Sequence, residues 1–348
     1  MRFLTTEYLN RLQFSTKQLE TLNRLGSYQG KQVLYAEQMP EVLKTMRKIA
    51  QVESTESSNR IEGIEAPRKR IQGIVLENTN PSNRSEQEIA GYRDALKVIH
   101  ESAMEMDFAP NVIRQLHTIM YRYLPQPGGT WKPVDNEIVE RNVDGKLTTR
   151  FKPIAAVATP HAMDDLAHGF KRALYVDEQP GMVVAPLAIL DFLCIHPFAD
   201  GNGRISRLMT LQLLYKMGHQ VGRFISLERI IEESKETYYE ALGLSSLNWH
   251  EGQHDPHPWL DYFWGIVLRA YSEFTQRVGG LNQGAGGKAA LVRVTVGRMT
   301  KPFALSEIQA ECPGVSLPTI KRELSAMRDE GLVMLQGKGR GAKWHRLE

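Results

Sequence analysis

The sequence predicts a mainly α-helical protein that carries one small β-hairpin and ends in a second, smaller domain. Apolar residues recur at the helical period through most of the chain, for example from Val42 to Val52, and this spacing is typical of amphipathic helices. Residues 134–153 differ, because two short strand-like runs flank Asp144-Gly145, a strong hairpin signal. After residue 287 the predicted elements become shorter.

Four regions follow from these patterns. They are an N-terminal helical region at 1–110, a core at 111–278 with the hairpin at about 134–153, a linker at 279–287 and a C-terminal domain at 288–348. The linker is predicted from its five glycines. A chain of 348 residues is long enough for one large and one small domain.

The composition narrows the class of protein. Hydrophobic residues make up 42% of the chain, which is ordinary for a globular core. We find neither an uncharged apolar stretch long enough for a bilayer nor an N-terminal secretory signal, so we expect a cytoplasmic protein with no membrane partner. The two cysteines, Cys194 and Cys312, lack CxxC spacing, which disfavours a metal-thiolate site or a disulfide.

The most distinctive chemistry lies between two apolar runs, Val183 to Ile195 and Ile205 to Met217. Gly201 and Gly203 allow a bent backbone whose amides bind an anion, and the helix that follows adds a positive end. Arg204 and Arg207 are three apart, so they share one side of that helix and suit successive phosphates.

Three further side chains complete this loop. Asp200 supplies a hard oxygen ligand suited to Mg²⁺, and Asn202 can donate to a phosphate oxygen without adding charge. His196 is the group here that exchanges a proton near neutral pH. Together these residues predict attack of a hydroxyl group on a metal-bound nucleotide phosphate.

The twelve residues from His196 to Arg207 read HPFADGNGRISR, and they match every position of the Fic-family signature HPFx(D/E)GNGRxxR. The chain resembles that family over roughly Arg60 to Val278. The resemblance implies transfer of AMP from ATP to a Ser, Thr or Tyr hydroxyl of a target protein or of the enzyme itself, with release of pyrophosphate. It implies that the hairpin is a flap that pairs with the target's backbone.

The resemblance also implies a role for each loop residue. His196 is the general base, Asp200 holds Mg²⁺, and Phe198 anchors the loop in the core. The remaining residues bind the ATP phosphates: Gly201, Asn202, Gly203, Arg204 and Arg207. One departure concerns the pair before the flap, where many relatives have an aromatic residue and Arg and this chain has Trp131-Lys132.

An upstream segment, Ser58 to Gly63, ends the predicted helix at about 40–63. Taken alone it is most simply an exposed polar helix end, but it fits the family's inhibitory pattern (S/T)xxxE(G/N). Ser58 and Glu62 are four apart and share a helix face. The resemblance implies that Glu62 pairs with Arg207 and keeps that arginine from the γ-phosphate.

The C-terminal domain carries the basic excess of the chain. From Lys288 onward there are eleven Lys or Arg residues against six Asp or Glu residues. The order of helices, followed by a Gly- and Arg-rich hairpin, predicts a winged helix-turn-helix. Its helix at 317–330 presents Thr319, Lys321, Arg322 and Arg328, which suit DNA. A module that packs on a partner protein is the alternative.

Two histidine features have simpler explanations than metal binding. His254 and His257 lie beside prolines that favour a loop. His117 is interpreted as a surface or packing residue.

The sequence thus predicts a self-inhibited protein adenylyltransferase that uses ATP and Mg²⁺. The alternatives are a nucleotide-sensing DNA-binding regulator, a Fic enzyme with another donor, and an enzyme that removes AMP. A homodimer stays open.

Overall fold

The structure is a computed structural model, and it describes residues 4–38, 40–141, 147–282, 284–297, 299, 301–312, 315–337 and 342–347. Within these ranges the chain is mainly helical and has two small antiparallel sheets. The N-terminal region contains α1 Thr6–Arg11, α2 Thr16–Gln38, α3 Pro40–Ile61, α4 Arg68–Glu77 and α5 Arg84–Ser102.

The central region contains the first sheet and the most buried helices. Its elements are α6 Pro110–Met120, β1 Ile138–Arg141, β2 Leu147–Phe151, α7 Thr159–Tyr175, α8 Gly181–Ile195, α9 Asn202–Lys216, α10 Leu227–Glu233, α11 Lys235–Ser246 and α12 His257–Asn282. The C-terminal region contains α13 Gly284–Gly297, α14 Leu305–Glu311, α15 Leu317–Asp329, β3 Val333–Gln336 and β4 Lys343–Arg346.

Helix α8 is the centre of the main core. Every residue from Val183 to Ile195 is buried, as expected for a helix that is apolar on all sides. It packs against α7, α9 and α12. The segment between α8 and α9 therefore starts and ends in rigid, buried helices.

Helix α3 ends as the sequence predicts. It begins at Pro40, ends at Ile61 and is followed by Gly63 with φ of +78°, the conformation that glycine adopts with least strain after a helix. Helix α5, in contrast, is capped by Asn83, which accepts a 3.0 Å hydrogen bond from the Glu86 backbone amide. The residues Ser85-Glu86-Gln87-Glu88 also fit a capping box, which predicts a helix start at Ser85, and this prediction is wrong because the N-cap is Asn83.

Two other segments differ from the sequence prediction. Residues 279–282 and 284–287 are helical and belong to α12 and α13, whereas an irregular linker was expected. Glycine weakens a helix by about 1 kcal/mol per residue, but helices on both sides extend into this stretch. The sequence from Glu232 to Leu244 also predicts one helix, but the structure divides this stretch at Ser234, which has a non-helical φ of −119°.

The C-terminal region has a core of its own. Phe303, Ile320, Leu324 and Trp344 are buried together, and Phe303 forms a bridge to Trp344 beside the β3–β4 pair. The predicted Gly- and Arg-rich tip at 338–341 lies outside the described residues.

The His254 and His257 side chains contact protein groups. The His254 ring packs against Tyr8 with ring centroids 5.3 Å apart and a tilt of 30°, and His257 Nδ1 is 3.0 Å from Gln18 Nε2. In the described ranges no cluster of three metal-ligating side chains occurs. None of the described helices combines the length and hydrophobicity of a membrane span.

Candidate active site

The loop between α8 and α9 requires unusual backbone angles at both ends. His196 has φ of +50° and Gly201 has φ of +83°, so the chain leaves one helix and enters the next through left-handed residues. A side chain at Gly201 would be strained, and its Cβ would lie 2.7 Å from Met120 Cε. This bend brings the start of α9 beside the end of α8.

The loop is closed by one side chain from within it. Asn202 Oδ1 accepts a 2.9 Å hydrogen bond from the Phe198 amide, and Asn202 Nδ2 donates a 2.8 Å bond to the Phe198 carbonyl. Asn202 is 1% exposed. Its amide group is thus used to hold the loop, which differs from the predicted contact with a phosphate oxygen.

His117 supports the loop from α6. The Gly129 amide donates to His117 Nδ1 at 2.8 Å, so Nδ1 is unprotonated and Nε2 carries the hydrogen. Nε2 donates to the Asp200 carbonyl at 3.0 Å, and the ring stacks on Phe198 at 3.9 Å. Burial lowers the pKa of His117 to about 4, so this neutral arrangement persists at neutral pH.

The segment before the hairpin also binds the loop. The Lys132 backbone amide donates to the Pro197 carbonyl at 2.8 Å, and its Nζ donates to the Ile195 carbonyl at 3.2 Å. Nζ also bonds Asn136, whose amide donates to the Phe198 carbonyl at 3.3 Å. Lys132 is 3% exposed, and burial lowers its pKa to about 8. Lys132, which belongs to the pair where the sequence departs from many relatives, therefore holds the loop in place.

The His196 ring is fixed by a backbone contact. Its Nδ1 lies 3.3 Å from the Leu193 carbonyl, and because a carbonyl only accepts, Nδ1 is the protonated nitrogen. Nε2 is then the nitrogen that can take a proton. Burial, reinforced by the nearby Lys132 charge, lowers the pKa of His196 to about 4. The imidazole is neutral at pH 7 and ready to accept a proton.

Asp200 presents an ionised carboxylate at the edge of the site. Its side chain is 71% exposed, with Oδ2 2.8 Å from the donating Tyr121 hydroxyl and 3.4 Å from Arg204 Nη2. Burial opposes ionisation, but Arg204, Tyr121 and the Gly201 amide outweigh it and hold the Asp200 pKa below its ordinary value. This carboxylate fits a Mg²⁺ ligand that shares the ion with phosphates and water.

The two arginines of the loop have separate surroundings. Arg204 is 1% exposed and donates to Glu88 of α5 at 2.8 Å as well as to Asp200. Arg204 therefore orients the Asp200 carboxylate and forms an ion pair with the Glu88 carboxylate. Both arginines were predicted to bind phosphates from one side of α9, and the structure instead directs Arg204 and Arg207 to different partners.

Arg207 is bound to the end of α3. Its Nε donates to Ser58 Oγ at 2.8 Å, and its Nη2 donates to the Ser58 carbonyl at 2.9 Å and to Glu62 Oε1 at 2.7 Å. Arg207 is 3% exposed. Burial disfavours its charge, but Glu62 and the Tyr238 phenol raise the Arg207 pKa above its ordinary value. The structure thus brings together the predicted trio of Ser58, Glu62 and Arg207.

Glu62 also covers the start of α9. A Cβ added to Gly203 would collide with Glu62 Oε1. The carboxylate therefore lies against the helix N-terminus, where anions are stabilised by free amides. Further contacts hold α3 in place: Lys235 Nζ donates to the Ile61 carbonyl at 2.9 Å, and Arg60 pairs with Glu232 at 2.9 Å.

Comparison with known proteins finds one family match and several similar structures. Residues 107–214 match the Fic/DOC family. No curated protein sequence matches the chain significantly. A Fic family protein from Desulfovibrio desulfuricans G20 has a similar structure, with a TM-score of 0.61, 17% identity and 97% coverage of both chains.

Two further structures have the Fic fold. A Fic domain containing signaling protein from Bacteroides thetaiotaomicron VPI-5482 has a TM-score of 0.58 at 19% identity, covering 72% of this chain and 94% of that one. Fic-1 from C. elegans has a TM-score of 0.54 at 18% identity, covering 73% and 71%. At these identities the likeness concerns the fold.

The hairpin of this Fic fold is joined to the active-site loop. Strands β1 and β2 are antiparallel, and Asn136 just before β1 bonds Phe198. At the other end, Phe151 stacks on His250 at 5.4 Å, and His250 donates to the Lys152 carbonyl at 2.7 Å. The predicted turn at Asp144-Gly145 lies outside the described residues.

Several residues that support the loop between α8 and α9 were not predicted from the sequence. His117 in α6 and Tyr121, the residue that caps the end of α6, are four apart, and that spacing was the available signal for a shared face. Glu88, Lys132 and Asn136 are brought to the loop by tertiary packing, and no spacing in the sequence indicates their role.

Proposed function

We propose that the protein is an adenylyltransferase that transfers AMP from ATP to a hydroxyl group of a protein target or of itself, and that Glu62 inhibits it. The observation that carries this proposal is the loop geometry. A neutral His196, an ionised Asp200 and the N-terminus of α9 meet within one rigid turn. The Fic/DOC match supports the same chemistry.

The transfer step uses these groups as follows. The target hydroxyl oxygen attacks the α-phosphorus of ATP and forms a new P–O bond. His196 Nε2 takes the hydroxyl proton, while the bond from the α-phosphorus to the bridging oxygen breaks. Pyrophosphate leaves with that electron pair. His196 is suited to this role because its Nδ1 is fixed on the Leu193 carbonyl.

The phosphates are bound by charge and by backbone amides. The amides at Gly201, Asn202 and Gly203 line the start of α9 and suit phosphate oxygens. Asp200 would hold Mg²⁺, which when bound neutralises phosphate charge. Tyr121 and Arg204 keep the Asp200 carboxylate oriented. Arg207 supplies the cation for the γ-phosphate once Glu62 is displaced.

Inhibition follows from competition for Arg207. Glu62 uses the guanidinium group and covers Gly203, so a triphosphate and the Glu62 carboxylate exclude each other there. Because Arg207 is 3% exposed, losing its carboxylate partner is unfavourable unless a phosphate replaces it. In the resting state Arg207 therefore binds Glu62, and displacement of α3 allows Arg207 to bind ATP.

The test is labelling with ATP that carries the radiolabel on the α-phosphate. Glu62→Gly in the full chain should label itself or a protein in cell extract, and His196→Ala in that background should remove the label. Mass spectrometry of the product distinguishes an AMP adduct from UMP or phosphate. No label in Glu62→Gly contradicts inhibition by Glu62, and label without His196 contradicts the assigned base. Release of AMP from a labelled product would favour the AMP-removing alternative.

We also propose that the C-terminal region binds DNA. Lys321, Arg322 and Arg328 are exposed on α15, while Ile320 and Leu324 face the core of that region. Exposed cations on one helix suit phosphate contacts. Binding to duplex DNA should weaken steeply with salt and be reduced by Lys321→Gln/Arg322→Gln. Binding without AMP transfer in Glu62→Gly would favour a DNA-binding regulator.

A further inference from the structure

The hairpin contains an irregularity beside the active site. In the β1–β2 register Ile138 pairs with Phe151 and Val139 pairs with Thr149, which leaves Arg150 without a cross-strand partner. Such a bulge turns a side chain away from the regular alternation, and bulges are common next to active sites. The bulge therefore gives Arg150 a direction that a regular strand would not.

The Arg150 side chain reaches inward to α11. Its guanidinium carbon lies 5.9 Å from the Tyr239 ring centroid, and a Cβ at Gly243 would be 3.6 Å from Arg150 Nε. Nε is shielded from solvent and makes no hydrogen bond to the part of the chain that the structure describes. A buried guanidinium nitrogen without an acceptor is unfavourable, so this position suits a bound group that accepts hydrogen bonds.

Arg150 and Arg207 act electrostatically on the same two phenols, those of Tyr238 and Tyr239. Both cations lower the otherwise raised pKa values of Tyr238 and Tyr239, for which burial is the main cause. Glu62 acts on the same two phenols. The Lys235 ammonium lies 5.9 Å from the Tyr239 ring as well. A ligand that replaced Glu62 would therefore lie within electrostatic reach of Arg150.

We propose that Arg150 is a nucleotide-binding residue whose guanidinium donates to a phosphate oxygen of the bound nucleotide. This inference rests on the proposed function. A contact with an acidic group of the target is the competing assignment. The inward direction over α11 favours the nucleotide, because a target strand would pair along the exposed edge of the hairpin.

Nucleotide binding can be measured without turnover. The parent is full-length Glu62→Gly/His196→Ala, which lacks the inhibitory carboxylate and the base. Titration calorimetry with Mg²⁺-ATP and with adenosine compares this parent with Arg150→Gln and Lys152→Gln in the same background. Lys152 is the matched control, because it is a cation two residues along with a 75% exposed side chain that pairs with Glu137 at 3.6 Å.

Arg150→Gln should weaken ATP binding by about tenfold or more, the range for a hydrogen bond to a charged group. Adenosine binding and the thermal midpoint should stay at parent values, and Lys152→Gln should bind ATP like the parent. Arg150→Lys should recover part of the ATP affinity, which a purely structural role of Arg150 would not predict. If Arg150→Gln unfolds, Arg150→Lys is compared with the parent in its place. Equal ATP affinity in Arg150→Gln and Lys152→Gln overturns the assignment, as does an equal loss for adenosine.

The two proposals fail differently. Absence of AMP transfer in the single variant Glu62→Gly contradicts the proposed function. Normal transfer in that variant, with parent-like ATP affinity after Arg150→Gln, contradicts this inference alone.

Discussion

Glu62 Oε1 accepts a 2.7 Å hydrogen bond from Arg207 Nη2 and at the same time covers Gly203 at the start of α9. One carboxylate thus satisfies the buried cation and occupies the place of an anion at the helix N-terminus. This double contact connects the end of α3 to the proposed phosphate site.

Replacing Glu62 by Gly should raise AMP transfer on the order of tenfold or more, because it frees Arg207 for the nucleotide and adds no group that competes. The measurement is the initial rate of incorporation from α-labelled ATP. Glu65→Gly, at an exposed position three residues along, is the control and should transfer no more than the wild-type chain. Equal rates in the two variants would contradict a specific role of the carboxylate.

Replacing Ser58 by Ala should activate the enzyme less than the Glu62 change. It removes the acceptor for Arg207 Nε at 2.8 Å but leaves the Ser58 carbonyl and Glu62 in place. A hydrogen bond to a charged group contributes about 1.5–3 kcal/mol, so the Ser58 change should weaken the binding of Arg207 to α3 by part of that amount. In the Glu62→Gly background the Ser58 change should add little, since the two contacts act together. Full additivity of the two effects would contradict this coupling.

The rate of AMP transfer should decline at a lower pH than it would with a histidine of ordinary pKa as the base. Burial and Lys132 lower the His196 pKa to about 4, so the base form persists as the pH falls below 6.5. In Glu62→Gly, kcat should stay nearly constant from pH 8 to about 5.5 and decline toward pH 4. Loss of half the rate near pH 6.5, in enzyme that remains folded by circular dichroism, would contradict a buried, neutral base.

Folding stability should decrease in mild acid. Burial lowers the pKa of His100 to about 3 and lowers the pKa to about 4 for His117, His196, His219 and His254. Unfolded histidines bind protons below about pH 6.5, whereas the folded ones stay neutral until about pH 4. Each histidine therefore lowers the free energy of unfolding by up to about 1.4 kcal/mol for each unit by which the pH falls within that window.

Thermal unfolding at pH 7.5, 6.5 and 5.5 measures this loss. The midpoint should be constant above pH 7 and fall between 6.5 and 5.5. In His219→Asn, a change away from the loop, unfolding takes up one proton fewer in this pH range. The midpoint of this variant should therefore fall less steeply with decreasing pH. A midpoint that is flat from pH 7.5 to 5.5 would show that these histidines are not buried as neutral groups.

Replacing Asn202 by Ala should destabilise the loop as well as reduce transfer. It leaves the buried Phe198 amide and carbonyl without the partners at 2.9 and 2.8 Å, and each unsatisfied group costs about 1–3 kcal/mol. Chemical denaturation measures the change in the free energy of unfolding. Asn111→Ala, at an exposed residue of α6, is the control. An unchanged free energy with lost activity would indicate that Asn202 acts on the nucleotide instead.

Much of the fold was readable from periodicity. Helix α8 was predicted because an apolar run of that length forms a buried helix, and α3 was placed correctly because Pro40 and Gly63 mark its ends. The linker at 279–287 was not predicted correctly, because glycine content reports local preference and the neighbouring helices override it. The same limit applies to Ser234, where the break inside the expected helix has no local signal.

The sequence by itself determined which chemical groups the loop contains, because the types and order of residues from His196 to Arg207 place an imidazole, a carboxylate and the glycine-containing start of a helix in one turn. Tertiary structure alone decided which partner each of these groups has. Arg204 bonds Glu88 from α5, and Arg207 bonds Glu62 from α3. These contacts join residues more than a hundred positions apart, and hydrogen bonds depend on distance and direction, which spacing along a chain does not encode.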